Sequence, residues 1–237
     1  MKKLIYNKNL FDKEIVGIKS NSFCLKVAPN KEVDEWVKKY HYSKKNTKNR
    51  FLSFFVNKNK GFLQLGYGIR PRMKHTISKL ITKDNYCEFD RMWLSDDLPK
   101  NSESQVISLL ISFIKQAHSR IKFIITYADE SVGNKGIIYK ATNAIEIPSV
   151  PVDFYLLKNG ERIHPVSMWH RHKTRKWSVV SKIYPGIKHI KGNFKQRRFL
   201  YILNNKYKKD FYAVEVSREI HTNTIGEGKG QFLDTAQ

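Results

Sequence analysis

The sequence predicts a mixed α/β fold of the α+β kind, with a mostly antiparallel central sheet flanked by helices. Two observations carry this expectation. Short apolar runs are joined by tight polar turns, the pattern of antiparallel hairpins. One long stretch from Asn101 instead repeats its apolar residues at helical spacing. With 237 residues, 41% hydrophobic and 13% aromatic, the chain can bury a real core and is not a disordered polymer.

Taken in order, Phe23-Cys24-Leu25-Lys26-Val27 alternates and reads as a strand. Asn30 is placed to cap a short helix carrying Val33, Trp36 and Val37, which ends near Tyr40-His41-Tyr42-Ser43. Arg50–Val56 and Phe62–Tyr67 flank the polar Asn57-Lys58-Asn59-Lys60-Gly61, a hairpin signal. Cys87–Leu94 makes another strand. The long helix opens at Asn101-Ser102-Glu103-Ser104-Gln105, where Ser102 and Gln105 have capping-box spacing. Its apolar face is Val106, Leu109, Leu110, Phe113, Ile114 and Ala117. A strand from Lys122 to Tyr127 follows, then a glycine-bearing loop and a short helix from Gly136 to about Thr142. Phe154–Leu157 and Glu161–His164 surround Asn159-Gly160, a strong hairpin signal.

Charge narrows the function. The chain carries 44 Lys+Arg against 21 Asp+Glu, a formal +23. Such an imbalance implies a large anionic partner, with nucleic acid first. Its distribution is more telling: Val166 to Lys209 holds thirteen Lys or Arg and no acid. That divides the chain into a core (1–165), a basic, aromatic-rich segment facing DNA (166–220) and a polar tail expected to be mobile (221–237). Phosphate contacts are expected from Lys44, Lys45, Arg171, Lys173, Arg175, Lys176, Arg197 and Arg198, with Trp177 among them to stack on a base. Two cysteines, Cys24 and Cys87, make neither a disulfide framework nor a four-cysteine zinc site. The N-terminus lacks the apolar stretch of a signal peptide, and no apolar run reaches the ~20 residues of a membrane span. A cytoplasmic setting is therefore expected.

Four clusters can carry chemistry. In Tyr40-His41-Tyr42-Ser43-Lys44-Lys45 the histidine suits a general base or a metal ligand, although His is also favourable at any helix C-terminus. In Phe89-Asp90-Arg91-Met92-Trp93, Arg91 lies in a buried-looking strand and needs a carboxylate or phosphate. Strand alternation turns Asp90 to the other face. Capping accounts for Ser102, which leaves Ser104 as the functional serine at the start of the long helix. Finally, Asp129 and Tyr139 can meet at one edge of the sheet, the first ending a strand and the second in the next helix. Gly66-Tyr67-Gly68 is no dinucleotide fingerprint, since no helix pattern follows it.

Together these stretches resemble the Mom family of phage DNA-modification proteins. "YHYSKK" (Tyr40–Lys45), "FDRMWLSDDLPKNSESQVIS" (Phe89–Ser108) and "ITYADESVGNKGIIYKATN", ending at Asn143, carry the likeness. It covers roughly Val33 to His164, with a looser fit through the basic end. The resemblance implies a GNAT-like acyltransferase fold and conversion of adenine in DNA to an N6-carbamoylmethyl-type derivative, which protects phage or prophage DNA from restriction. It also places His41, Tyr42, Arg91, Ser104, Asp129 and Tyr139 on the family's important positions, with Arg91, Ser102, Ser104 and Tyr139 toward the donor.

One departure from the GNAT pattern bears on the donor. Ser95-Asp96-Asp97-Leu98-Pro99-Lys100-Asn101-Ser102 has no glycine and two acids where a pyrophosphate-binding loop is expected. The donor stays open between acetyl-coenzyme A and another small acyl or glycyl-type group. Participation of a metal ion stays open as well. The expected partners are double-stranded DNA and a small-molecule donor. Two other readings stay open: a non-catalytic DNA-binding protein on the same scaffold, which fits the charge equally well, and an N-acetyltransferase acting on a protein or small amine.

Overall fold

The computed structural model describes residues 1–7, 14–67 and 77–211. Its strands are β1 (Lys3–Tyr6), β2 (Ile15–Lys19), β3 (Cys24–Ala28), β4 (Arg50–Val56), β5 (Gly61–Gly66), β6 (Tyr86–Leu94), β7 (Phe123–Asp129), β8 (Ile145–Leu156), β9 (Arg162–Ile163) and β10 (Lys188–Ile202). They form one sheet in the order β1-β2-β3-β4-β5-β6-β7-β10-β8-β9. The pairing of β6 with β7 is parallel, and the rest are antiparallel. The mixed, mostly antiparallel expectation is met.

Helices cover both faces. α1 (Asn30–Tyr40) buries Val33 and Val37 on Phe62. α2 (Ser102–Ala117) buries Val106, Leu109, Leu110, Phe113 and Ile114 on the face carrying Leu25, Phe54, Leu63 and Leu65. Phe62 and Leu63 are consecutive in β5, so these two helices lie on opposite sides of the sheet. β5 is buried along its whole length, as a strand covered on both faces must be. The turn before it places Asn57, Lys58 and Asn59 at positive φ, which suits asparagine-rich turns.

Several sequence expectations need correction. Pro29, not Asn30, caps α1, and the Asn30 side chain accepts a hydrogen bond from Ser53 Oγ at 2.7 Å. Ser102 forms no capping box, because Asn101 in left-handed backbone is the cap. Ser102 already lies inside the helix, and its hydroxyl donates back to the Pro99 carbonyl. The 166–220 segment is not wholly an appendage either. β10 enters the sheet between β7 and β8, with Phe199 and Leu200 buried on opposite faces.

Beyond the main sheet, β8 and β10 continue as a ribbon pairing Lys188–Lys191 with Asp153–Leu156. Against it pack α4 (Pro165–His172) and α5 (Trp177–Ile183), which bury Met168 and Val180 with Tyr155, Ile163 and Ile187. The left-handed Lys173 ends α4 and turns the chain toward α5. The 221–237 tail lies outside the described residues, as do Gly68 and the residues just after it. Among the described residues, no helix is long and apolar enough to cross a membrane.

Candidate active site

The site grows from a split in the sheet. β6 and β7 pair only from Tyr86–Phe123 to Phe89–Thr126. Beyond that point β6 continues to Leu94 on β5, while β7 continues to Asp129 on β10. Thr126 Oγ1 donates to the Phe89 carbonyl at 3.0 Å and ties the last paired position. The gap above it is a pocket of about 180 Å³, lined among others by His41, Tyr42, Asp90, Arg91, Asn134 and Tyr139.

A bulge sets the pocket wall. Gln64 pairs with Arg91 and the next residue, Leu65, pairs with Phe89, so β6 has one residue more than β5 at Asp90. Such a bulge interrupts alternation and re-aims side chains. Asp90 and Arg91 therefore both line the pocket, which corrects the expectation that Asp90 faces away. Burial raises the Asp90 carboxyl to about 6, against the opposing effects of Arg91 and a hydrogen bond from Thr47. Its carboxyl also occupies the space that a Cβ on Gly66 would need, 2.2 Å from Oδ2.

Of the two partners expected for Arg91, a carboxylate or a phosphate, no carboxylate of the described residues forms an ion pair with it. Its Nη1 donates to the Asp90 carbonyl at 2.7 Å and its Nε to the Lys45 carbonyl at 3.3 Å. This orients a cation in the pocket and leaves its charge available to a ligand. His41, 6% exposed, follows the end of α1. Burial, and secondarily the charge of Arg91, lower its pKa to about 4, so it is neutral at pH 7. Its Nδ1 accepts from the Ser43 backbone N–H at 3.1 Å and lies 2.9 Å from Ser43 Oγ, an arrangement that favours the proton on Nε2. That tautomer presents Nε2–H as a hydrogen-bond donor, and the lowered pKa makes the ring a weak proton acceptor.

The two tyrosines also stay protonated. Burial raises the Tyr139 phenol, while a hydrogen bond with Thr126 opposes and the nearby Tyr42 adds. Tyr139 is held in α3 (Ile137–Ala141) with its ring beside Phe89 and Phe199. Burial likewise raises Tyr42; Arg91 opposes, Asp129 adds and Arg162 opposes. Much of the Tyr42 ring remains exposed, so it forms a rim rather than a floor.

Asp129 ends β7 and lines a larger cleft of about 780 Å³, near enough to the small pocket for its charge to act on Tyr42. Its Oδ1 accepts from both the backbone N–H and the hydroxyl of Ser131, and Oδ2 faces Arg162 Nη1 at 3.5 Å. A carboxylate offers about four acceptor positions, so one on Oδ2 is left for a substrate.

The serines of α2 are not brought to this place. Ser104 Oγ donates to the Asn101 carbonyl at 2.9 Å and borders a different hollow beside Lys2 and Ser108. Ser102 lines a hollow of about 310 Å³ at the start of α2, with Asp96 and Glu103 set against Lys100. Among the described residues, no group of three or more His, Cys, Asp or Glu is gathered to hold a metal ion.

The predicted DNA contacts divide. Lys44, Lys173, Arg175, Lys176 and Trp177 are exposed. Lys45 donates to the Arg162 carbonyl, and Arg171 pairs with Glu161. The last two arginines are engaged by partners within the protein. Arg197 is held by Glu130 at 2.6 Å and Glu146 at 2.8 Å, and Arg198 is buried with Nε donating to the Pro148 carbonyl. Sequence reasoning missed Arg162, which the structure sets against Asp129. Its place beside the Asn159-Gly160 turn was the available signal.

A model of the Mom protein family matches residues 22–218. A stretch of 131 residues is 34% identical to "Methylcarbamoylase mom" of Escherichia phage Mu, covering 54% of each chain. The matched stretch thus spans about half the length of that relative. Among solved structures, an Arabidopsis thaliana NAA60 in complex with acetyl-CoA is similar over 76% of this chain and 98% of its own, at 11% identity and a TM-score of 0.44. A Salmonella typhimurium acetyl transferase that modifies the N-terminal serine of ribosomal protein L7/L12 covers 78% and 97%, at 11% identity and 0.42.

Proposed function

The chain belongs to the Mom protein family, and from that premise we propose that it is a transferase modifying the N6 amine of adenine in double-stranded DNA. The product is an N6-carbamoylmethyl-type derivative, and the role is protection of phage or prophage DNA from restriction in the host cytoplasm. The observation that supports this reading best is the gathering of two carboxylates, one guanidinium and two protonated phenols around the split between β6 and β7.

The adenine amine is conjugated into its ring and is a poor nucleophile, so its lone pair must be directed. Asp129 accepts one N6–H on its open Oδ2 position and orients the amine. Asp90, a carboxyl with its pKa near 6, takes the proton that the amine loses. The bond forms between N6 and the methylene carbon of the carbamoylmethyl group, and the donor's leaving group departs from that carbon with the electron pair of the bond that breaks. Arg91 holds negative charge on the donor, and Tyr139 and His41 Nε2–H donate to charge developing on it.

Coenzyme A is a poor fit at the start of α2. Asp96 and Glu103 outnumber Lys100 there, and the Ser102 N–H is already bonded to the Pro99 carbonyl. This favours another small donor of the acyl or glycyl type over acetyl-coenzyme A, and no step runs through a pyrophosphate.

Expression in a bacterium lacking other DNA modifications, digestion of its DNA to nucleosides and mass spectrometry test the reading. A heavier deoxyadenosine is expected, lost with Asp129→Asn while duplex affinity stays near that of the parent. Equal loss of modification and affinity would count against a chemical role for Asp129.

A further inference from the structure

The small pocket and the larger cleft differ in what they can hold. About 180 Å³ suits only a small group, whereas about 780 Å³ lies in the range of sites for molecules the size of a nucleotide. Asp129 lines the cleft, its charge acts on Tyr42 of the small pocket, and a chain of contacts joins the two walls. Arg91 donates to the Lys45 carbonyl, Lys45 Nζ donates to the Arg162 carbonyl at 2.9 Å, and Arg162 faces Asp129.

Arg162 is the organised feature of the cleft. Its Nη1 donates to Ser131 Oγ at 2.8 Å and its Nη2 to the Ser131 carbonyl at 3.2 Å. The buried Phe154 ring lies 4.7 Å from its Cζ. A guanidinium so fixed loses little freedom when a base stacks on it. Its side chain is still 39% exposed and lines the cleft. Lys45 and Arg171 line the same cleft. The Arg171–Glu161 pair is exposed and weak enough to yield to a phosphate.

We propose that this cleft receives the extruded target nucleotide, with its base on the Arg162 plane, N6 against Asp129 and flanking phosphates on Lys45 and Arg171, while the small pocket takes the donor's reacting group. The assignment rests on the transferase reading and adds to it the place where the substrate enters. It also separates amine-bearing bases from thymine. An exocyclic amine donates to Asp129, whereas thymine would offer a carbonyl oxygen that the carboxylate repels.

The test uses the full chain without donor and three duplexes of one sequence. One carries the target adenine paired, one carries it opposite an abasic site, and one carries thymine opposite the abasic site. Because an unpaired base costs less to extrude, the parent should bind the unpaired adenine about tenfold tighter than either other duplex. Ser167 is exposed on α4 and lines the cleft. Ser167→Trp should fill the cleft, remove that preference and abolish modification of genomic DNA, while paired-duplex affinity stays at the parent level. Arg162→Lys keeps the charge and drops the plane; it should lose the same preference and serves if the tryptophan variant fails to fold.

A parent with no preference for unpaired adenine overturns the assignment, as does a folded Ser167→Trp that keeps the preference. Ser167→Trp modifying DNA as the parent does would move the nucleotide elsewhere and leave the transferase reading intact. A parent that shows the preference yet leaves DNA unmodified would sink the transferase reading and keep the cleft as a nucleotide site.

Discussion

Asp90 and Arg91 are consecutive residues of one strand, yet both line the same pocket, because β6 carries its extra residue at Asp90. In a regular strand they would face opposite sides of the sheet. The bulge thus sets a carboxyl of raised pKa beside a fixed cation, where the strand leaves its parallel partner. Arg91 keeps the Asp90 pKa from rising further, so the pair holds a proton acceptor near the pH at which it must work.

Asp90→Asn is expected to abolish modification while stabilising the fold at neutral pH. The folded-state pKa is raised from 3.8 to about 6, so the fold favours the protonated acid. The stability this confers is complete below about pH 4 and is lost as the pH rises through 6. Above that the parent carries a penalty of about 3 kcal/mol or less, which the asparagine variant avoids. Thermal melts at pH 4 and pH 7 measure it: equal midpoints at pH 4 and a higher one for the variant at pH 7 are expected. A variant less stable at both would refute the buried-acid account.

His41 has the opposite sign in an overlapping window. Its pKa falls from 6.5 to about 4 on folding, so the unfolded chain takes up a proton before the folded one does. Stability is lost as the pH drops from 6.5 toward 4, by about 3.5 kcal/mol or less. The contributions of Asp90 and His41 nearly cancel between pH 4 and 6.5. His41→Gln should therefore expose a stability that falls as pH rises, and Asp90→Asn one that falls as pH drops. Denaturant midpoints across that range decide it, and parallel curves for parent and both variants would contradict it.

What could be read from the sequence was what is local. The turns at Asn57–Lys60 and Asn159-Gly160 declare themselves by residue type, and the apolar face of α2 by its spacing. The motifs around His41, Arg91, Asp129 and Tyr139 pointed to the split in the sheet. β10 was hidden because Lys188, Lys191 and Lys195 give its first half the look of a solvated basic run. Its partners, β7 and β8, are set by long-range pairing that no window of sequence contains. Arg198 was misread for the same reason: a basic residue next to Arg197 looks like a phosphate contact until the strand buries it. Asp90 escaped because alternation is the default for a strand, and a bulge of one residue leaves no compositional mark.

Gly66→Ala tests whether the Asp90 position matters. A Cβ there would stand 2.2 Å from Asp90 Oδ2 and 3.1 Å from the Asn49 carbonyl oxygen. The short Asp90 side chain can swing away more easily than the backbone can move, so the carboxyl should leave its place in the pocket. Stability should fall by about 1–3 kcal/mol, with modification reduced at least about tenfold if the displaced group is the proton acceptor. In an Asp90→Asn background the same substitution should add little further loss of activity, since both changes act on one group. Additive losses would assign Gly66 a separate role.

The basic residues should separate by how the fold holds them. Arg175 and Lys176 are exposed between α4 and α5, where a phosphate can reach them. Replacing either with alanine should lower the slope of log affinity against log salt by about 0.9 for duplex DNA, with the thermal midpoint nearly unchanged. Arg197 is engaged by Glu130 and Glu146, which tie β10 to the end of β7 and to β8. Arg197→Ala should leave the slope as it is and lower the thermal midpoint instead, since it removes internal partners rather than a phosphate contact. Duplex binding at several salt concentrations, read beside melts of the same variants, distinguishes the two groups. A reduced slope for Arg197→Ala would mean that DNA displaces its carboxylates and that the interface extends along β10 toward Asp129.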